Sequence, residues 1–228
     1  MKIGFFTVFK KDPKHYVMAK GLVDSVHKTM PGVPIIQFTD ESSPPVLGVD
    51  EVVRKSGGKL LELRLQHYAE CEGEWLLVDT DVLVKKDVRH VFDDSFDVAL
   101  SDRNCWHAFQ SDKLVEQMPY NTGVVFVRNP SFWKNVLRIW KKLGQNDWLS
   151  EQRAVARALE IHPYSVKLLP MMLYNYPPIS EHDSCEEAFI VHYKGDLKAW
   201  YWNLLMRIDF LRSERERLFD NIPLRIPS

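Results

Sequence analysis

Asp79 and Asp81 stand two residues apart where an apolar run, Trp75-Leu76-Leu77-Val78, stops. A run of that kind reads as a buried strand, and alternate side chains on a strand share a face. Both carboxylates are therefore expected to project together from a strand's carboxyl end, with Cα atoms about 6–7 Å apart. Two hard oxygen ligands at such a place suit a divalent cation and a ligand's phosphates. A turn rich in Asp and Thr that merely closes a strand has the same composition, so Asp79-Thr80-Asp81 needs a second feature.

That feature follows a later strand. His192 is followed three residues on by Gly195, and Gly195 three residues on by Lys198. Glycine lets backbone approach a phosphate, and the lysine can neutralise a diphosphate. Two carboxylates, one imidazole and one lysine form a metal-diphosphate cradle. Mixed oxygen and nitrogen ligands suit Mn²⁺ better than Ca²⁺, with Mg²⁺ also admissible.

The elements that must position these residues alternate along the chain. The pattern predicts strands over Ile3–Phe9, Pro34–Thr39, Glu51–Arg54, Trp75–Asp81, Asp97–Ser101, Asn121–Val127 and Ala188–Tyr193. A helix over 14–30 carries Met18, Leu22, Val26 and Met30 at i+4 spacing and stops at Pro31-Gly32. Another, Leu60–Glu70, follows Gly57-Gly58. Asn129-Pro130 supplies an N-cap and a first helical proline to a helix with Trp133, Val136, Leu137 and Trp140 on one face, ending at Gly144. Ser150 is expected to cap a helix over 151–160, ended by His162-Pro163, and Trp200–Phe219 reads as a long amphipathic helix with Tyr201, Leu204, Leu205, Ile208 and Leu211 inward. Alternation of this kind predicts an open, mostly parallel α/β sheet with its sites at strand ends.

Composition bounds the function. Of the 228 residues, 45% are hydrophobic and 12% aromatic, which excludes a disordered chain. A formal net charge of −1 gives no bulk attraction to nucleic acid or an anionic membrane. Cys71, Cys105 and Cys185 lack metal-ligand spacing, so the expectation is a reducing compartment without a disulfide framework. The apolar start, Ile3–Phe9, is too short for a membrane span and has no cleavage site after it, so a cytoplasmic protein without an integral membrane segment is expected. With no linker or repeat, one domain over 1–228 is expected.

Four segments, in this order, carry a resemblance: Leu76–Asp81, Tyr120–Asn129, Glu151-Gln152 and His192–Trp200. Together they resemble GT-A glycosyltransferases, close to the family-8 retaining enzymes that include glycogenin and the bacterial galactosyltransferases. The likeness covers roughly residues 1–202, leaving 203–228 as the rest of the last helix and a tail. It implies a single GT-A, Rossmann-like α/β domain with a mixed, mostly parallel central sheet flanked by helices and a C-terminal amphipathic helix. It implies transfer of a sugar, with retention, from a nucleotide-diphosphate donor (a UDP-sugar) to an acceptor hydroxyl. That acceptor could belong to a glycan, lipid, protein or modified nucleic acid.

The resemblance also assigns residues. Asp79 and Asp81, with Thr80 between them, match the motif that holds the metal and touches the ribose. His192 matches the third metal ligand, and Gly195 and Lys198 the diphosphate contacts. Asn121, Thr122 and Gly123 fall where the family lines its donor-sugar pocket, and Glu151-Gln152 where it commonly has Asp-Gln beside the reacting sugar. Thr7 and Tyr16 resemble nucleotide contacts, and Arg64 a basic residue ahead of the Asp-x-Asp strand. Ala199 stands where a proline is usual, and the segment from Thr7 to Tyr16 is longer than in glycogenin.

Two rival readings exist. Asp79-Thr80-Asp81-Val82 also fits the nucleophile motif of haloacid-dehalogenase-type phosphatases, but Gly195-Asp196 is followed by Trp200 where that class needs a second acidic residue. A catalytically dead sugar-nucleotide-binding protein is the other, and an intact set of Asp79, Asp81, His192 and Lys198 argues against it.

Overall fold

Continuous apolar strands need two covered faces, and the central sheet has both. In a computed structural model, residues 1–9, 13–103, 116, 118–144, 147 and 149–206 are described. Nine strands run β1 Lys2–Phe6, β2 Ile35–Asp40, β3 Glu51–Lys55, β4 Trp75–Val78, β5 Val82–Val84, β6 Val98–Asp102, β7 Tyr120–Val127, β8 Val166–Leu168 and β9 Ile190–His192 among these residues. Helices are α1 Pro13–Thr29, α2 Leu60–Tyr68, α3 Ser131–Leu143, α4 Ser150–Ile161, the short α5 Met171–Tyr174 and α6 Lys198–Met206. Seven strands form one sheet in the order β3-β2-β1-β4-β7-β6-β8, and β5 pairs with β9 in a second, two-stranded sheet. In the large sheet only β7 is reversed, antiparallel to both β4 and β6. The fold is therefore α/β with a mixed, mostly parallel sheet, as the alternation predicts.

Residue alternation decides which face each side chain covers. Ile3 and Phe5, Leu76 and Val78, and Val124 and Phe126 join one core with α1. Trp75 and Leu77 with Val125 and Val127 join the other, against Leu65, Tyr68, Phe132, Trp133 and Trp140 of the helices behind. A third cluster, including Met18, Val191, Tyr201 and Leu205, ties α1 to β9 and α6. Among the described residues no helix is long and apolar enough to cross a membrane.

Local signals account for most boundaries. Asn129 caps α3: its Oδ1 accepts from the Ser131 amide at 2.9 Å, an interaction of about 1 kcal/mol. Gly144 ends α3 in the left-handed region at φ 63°. Four expectations are corrected. The first strand ends at Phe6, not Phe9, and the last covers Ile190–His192. Ser150 does not cap α4; it lies inside the first turn, where its hydroxyl accepts from Trp140 Nε1 at 2.8 Å. Just ahead of the helix, Asp147 Oδ1 receives the Leu149 amide at 2.9 Å. Finally, the strand through Asp79 stops at Val78. The predicted helix to Phe219, with Ile208, Leu211 and the Leu204 side chain, falls outside the described residues beyond Met206, and Cys105 lies outside them too.

Candidate active site

Two sheets, rather than one strand, bring the acidic pair together. Asp79 still belongs to the large sheet, since its N–H donates to the Gly123 carbonyl across from β7 at 2.9 Å. Asp81 already belongs to the small one, its carbonyl accepting from the Tyr193 N–H at 2.9 Å beside β9. The next rung pairs Val82 with His192. Asp79-Thr80-Asp81 is thus the crossing between the sheets, and β9 delivers the imidazole to it. Strand alternation does not aim the carboxylates; this crossing does.

One carboxylate oxygen on each Asp is held by a cation, and the other faces the histidine. Asp79 Oδ1 is 2.8 Å from Arg64 Nη2, and Asp81 Oδ2 is 3.1 Å from Lys198 Nζ. The opposite oxygens, Asp79 Oδ2 and Asp81 Oδ1, lie 3.7 and 3.3 Å from His192 Nε2. Asp79, Asp81 and His192 each offer one ligand atom within 4.8 Å of the other two, a spacing that one divalent ion can span. Gly123 leaves the room: a Cβ there would sit 2.0 Å from His192 Cε1 and 2.9 Å from Asp79 Oδ2.

Charge follows the geometry. Burial alone would raise the Asp81 carboxyl, but His192 and Lys198 hold it well below the usual carboxylate range. Lys198 gains in return: burial works against its charge, yet Asp81 and Asp79 raise it. Arg64 is likewise kept charged by Asp79 and Glu151 despite its burial, and its guanidinium lies over the Tyr68 ring at 5.2 Å.

These groups line a cavity of about 770 Å³. Gly195 opens a short turn at φ 56°, with open space where a Cβ would be, and aims Lys198 from the start of α6. Asn121, Thr122 and Gly123 line the cavity from within β7, not from a turn before it. They lie where the β6–β7 register slips, between the Leu100–Val125 and Ser101–Asn121 pairs. The first turn of α4 contributes Glu151 and Gln152, both buried in the cavity wall. Glu151 is 3.4 Å from Arg64 Nε, too long for a well-formed charged hydrogen bond.

Sequence reasoning missed four contributors. Arg103, just past β6, donates to Gln152 Oε1 and lines the cavity; burial pulls it down to about 10, so it stays charged at neutral pH. Lys194 and Ile179 also line it, and Asn175 stands behind His192. A cation one residue past a strand end was the available hint for Arg103; Asn175 gave none. Thr7, Tyr16 and Thr80, in contrast, do not line the cavity. Thr7 is tied into the sheet end, donating its N–H to Phe38 O at 3.0 Å. The Tyr16 hydroxyl accepts from the Leu47 N–H at 3.2 Å.

Glu151 makes a measurable prediction. Burial raises its carboxyl, Arg64 opposes and Asp79 adds. A folded pKa above the unfolded one means that ionisation destabilises the fold as pH rises through the folded value, and that stability returns as pH falls toward 4.5. Glu151→Gln is therefore expected to be more stabilising, relative to the parent, at pH 8 than at pH 5 in urea denaturation. An equal or reversed difference would show that the carboxylate is not penalised.

The arrangement defines a class. This chain has the fold of GT-A glycosyltransferases, with an acidic, histidine-bearing cluster at the ends of its strands. Among solved structures it is similar to the galactosyltransferase LgtC, in complex with donor and acceptor sugar analogs, at TM-score 0.61 and 13% identity over 100% of this chain and 98% of that one. GlyE of Streptococcus pneumoniae TIGR4 is similar at TM-score 0.64 and 14% identity, over 93% of this chain and 63% of that one. A glycosyltransferase involved in the glycosylation of the major capsid of PBCV-1 is similar at TM-score 0.59 and 16% identity, over 91% and 100% of the two chains. No protein-family model matches the sequence, and no curated protein matches it.

Proposed function

We propose that the protein is a metal-dependent glycosyltransferase that moves a sugar, with retention, from a UDP-sugar to an acceptor hydroxyl. The observation that carries this reading is the convergence of Asp79 Oδ2, Asp81 Oδ1 and His192 Nε2 with Lys198 alongside. Two carboxylate oxygens brought this close repel one another, and a cation between them would relieve that repulsion. The donor set fits Mn²⁺, or Mg²⁺, and a bound ion would supply Lewis-acid stabilisation of the departing diphosphate.

The chain's own residues do the rest. Lys198 offers a second positive charge to the leaving group, and Gly195 lets backbone close on it. Glu151, Gln152 and Asn121 line the sugar side, with Thr122 and Gly123 beside them. Guanidinium nitrogens only donate, so Arg103 must hold the Gln152 carbonyl oxygen. Gln152 is then left with its amide NH₂ to offer a sugar hydroxyl. Retention is the part of the reading that rests on the resemblance to family-8 enzymes, with attack on the face that the diphosphate leaves. The likeness to LgtC, whose structure carries donor and acceptor sugar analogs, supports the substrate class. A phosphatase role for Asp79 is disfavoured because Gly195-Asp196 is followed by Trp200 where that class needs a second acidic residue.

Isothermal titration with UDP, with and without Mn²⁺, tests the reading. Binding is expected only, or far more tightly, with the metal; metal-independent binding or none would overturn it. A panel of UDP-sugars, followed by donor hydrolysis without acceptor, then identifies the sugar.

A further inference from the structure

A chain of hydrogen bonds behind the cavity places a hydrogen on Nδ1 of His192. It starts at a group whose role is not in question: the Gly123 backbone N–H donates to the Asn121 side-chain oxygen at 3.0 Å. That contact orients the Asn121 amide, because an N–H needs an acceptor. The same oxygen meets the Asn175 side chain at 3.0 Å, so Asn175 must turn its NH₂ toward it. The Asn175 oxygen is left facing His192 Nδ1 at 2.8 Å. An amide oxygen only accepts, so Nδ1 carries a hydrogen, and Nε2 is the ring nitrogen left to meet a cation. Nε2 is the atom that faces Asp79 and Asp81.

We propose that Asn175, oriented through Asn121 by the Gly123 amide, is a positioning residue that holds His192 as a metal ligand. The inference rests on the metal site proposed above. Asn175 is fully buried and sits just past α5, where the neighbouring Tyr176 bridges to β9. Its backbone is thus fixed to the same strand that carries His192. Without the Asn175 oxygen, the ring's favoured hydrogen position moves to Nε2, which can then donate to Asp81 Oδ1. His192 would become a hydrogen-bond donor to a carboxylate, occupying the place of the cation.

The test is Mn²⁺ titration of the parent, Asn175→Leu and Asn175→Asp, with circular dichroism on each. Asn175→Leu is expected to bind Mn²⁺ about 10–100-fold more weakly, the usual loss when a group supporting a metal ligand is removed. Asn175→Asp still accepts from Nδ1 and can carry a proton toward Asn121, so it should bind more tightly than the leucine variant. Equal affinity for the parent and a folded Asn175→Leu overturns the positioning role and leaves the metal site standing. A parent that binds no Mn²⁺ overturns the metal site and, with it, this role. Should the leucine variant fail to fold, long-range ¹H–¹⁵N spectra of the Zn²⁺-loaded parent decide: metal on Nε2 with hydrogen on Nδ1 supports the assignment, and metal on Nδ1 overturns it.

Discussion

Asp81→Ala is expected to abolish Mn²⁺-linked binding of UDP, weakening it by at least about a hundredfold, the upper range for loss of a mere supporting group. The side chain is almost fully buried and both its oxygens are committed, one toward His192 and one to Lys198. Removing it deletes a ligand atom and unties the lysine meant for the diphosphate. A second readout separates this from general damage. With metal chelated, Asp81 is held ionised in the fold, so its charge stabilises the protein above the ordinary carboxylate range. That contribution fades as pH falls through the lowered folded value. Asp81→Asn, which keeps the size and loses the charge, should therefore lower stability at neutral pH and converge on the parent in strong acid. Calorimetry for binding and urea melts for stability check the two halves. UDP affinity unchanged in both variants would count decisively against the ligand role.

Much of this architecture was legible because burial leaves a simple mark. Trp75–Val78 and Val124–Val127 are apolar without interruption because each alternate residue meets a core, one on either side of the sheet. Asn129-Pro130 and Gly144 mark the ends of α3 through local geometry alone. The site was legible where chemistry is written in residue type: Asp79, Asp81, His192 and Lys198 converge as their types suggest. What was not legible is set by long-range pairing. No periodicity separates a strand running through Asp81 from one that stops at Val78 and restarts in another sheet at Val82. β8 and α5 are too short to carry a pattern. Asn175 is polar, buried and 17 residues before the histidine it supports, so its role exists only once β9 and the residue after α5 are side by side.

The position of least tolerance is a glycine whose backbone is unexceptional. Gly123 does not adopt positive φ, so alanine meets no conformational penalty there and would suit a strand better. Its constraint is space. An added Cβ would lie 2.0 Å from His192 Cε1, 2.6 Å from Nδ1 and 2.9 Å from Asp79 Oδ2. None of these atoms has an easy retreat. The imidazole is held by Asn175 and its backbone by β9, while the Asp79 N–H is bonded to the Gly123 carbonyl itself. Relief requires either turning His192 out of the cavity or prising β7 from β4. Overpacking of this kind costs about 1–3 kcal/mol, which a folded domain can survive. A ligand set spaced for one ion cannot. Gly123→Ala is thus expected to fold with a lowered melting temperature and to lose Mn²⁺ binding, measured by calorimetric titration beside the thermal melt. A variant that binds Mn²⁺ like the parent would mean that His192 and Asp79 do not approach one another across β7, and that the convergence underlying the proposed chemistry is wrong.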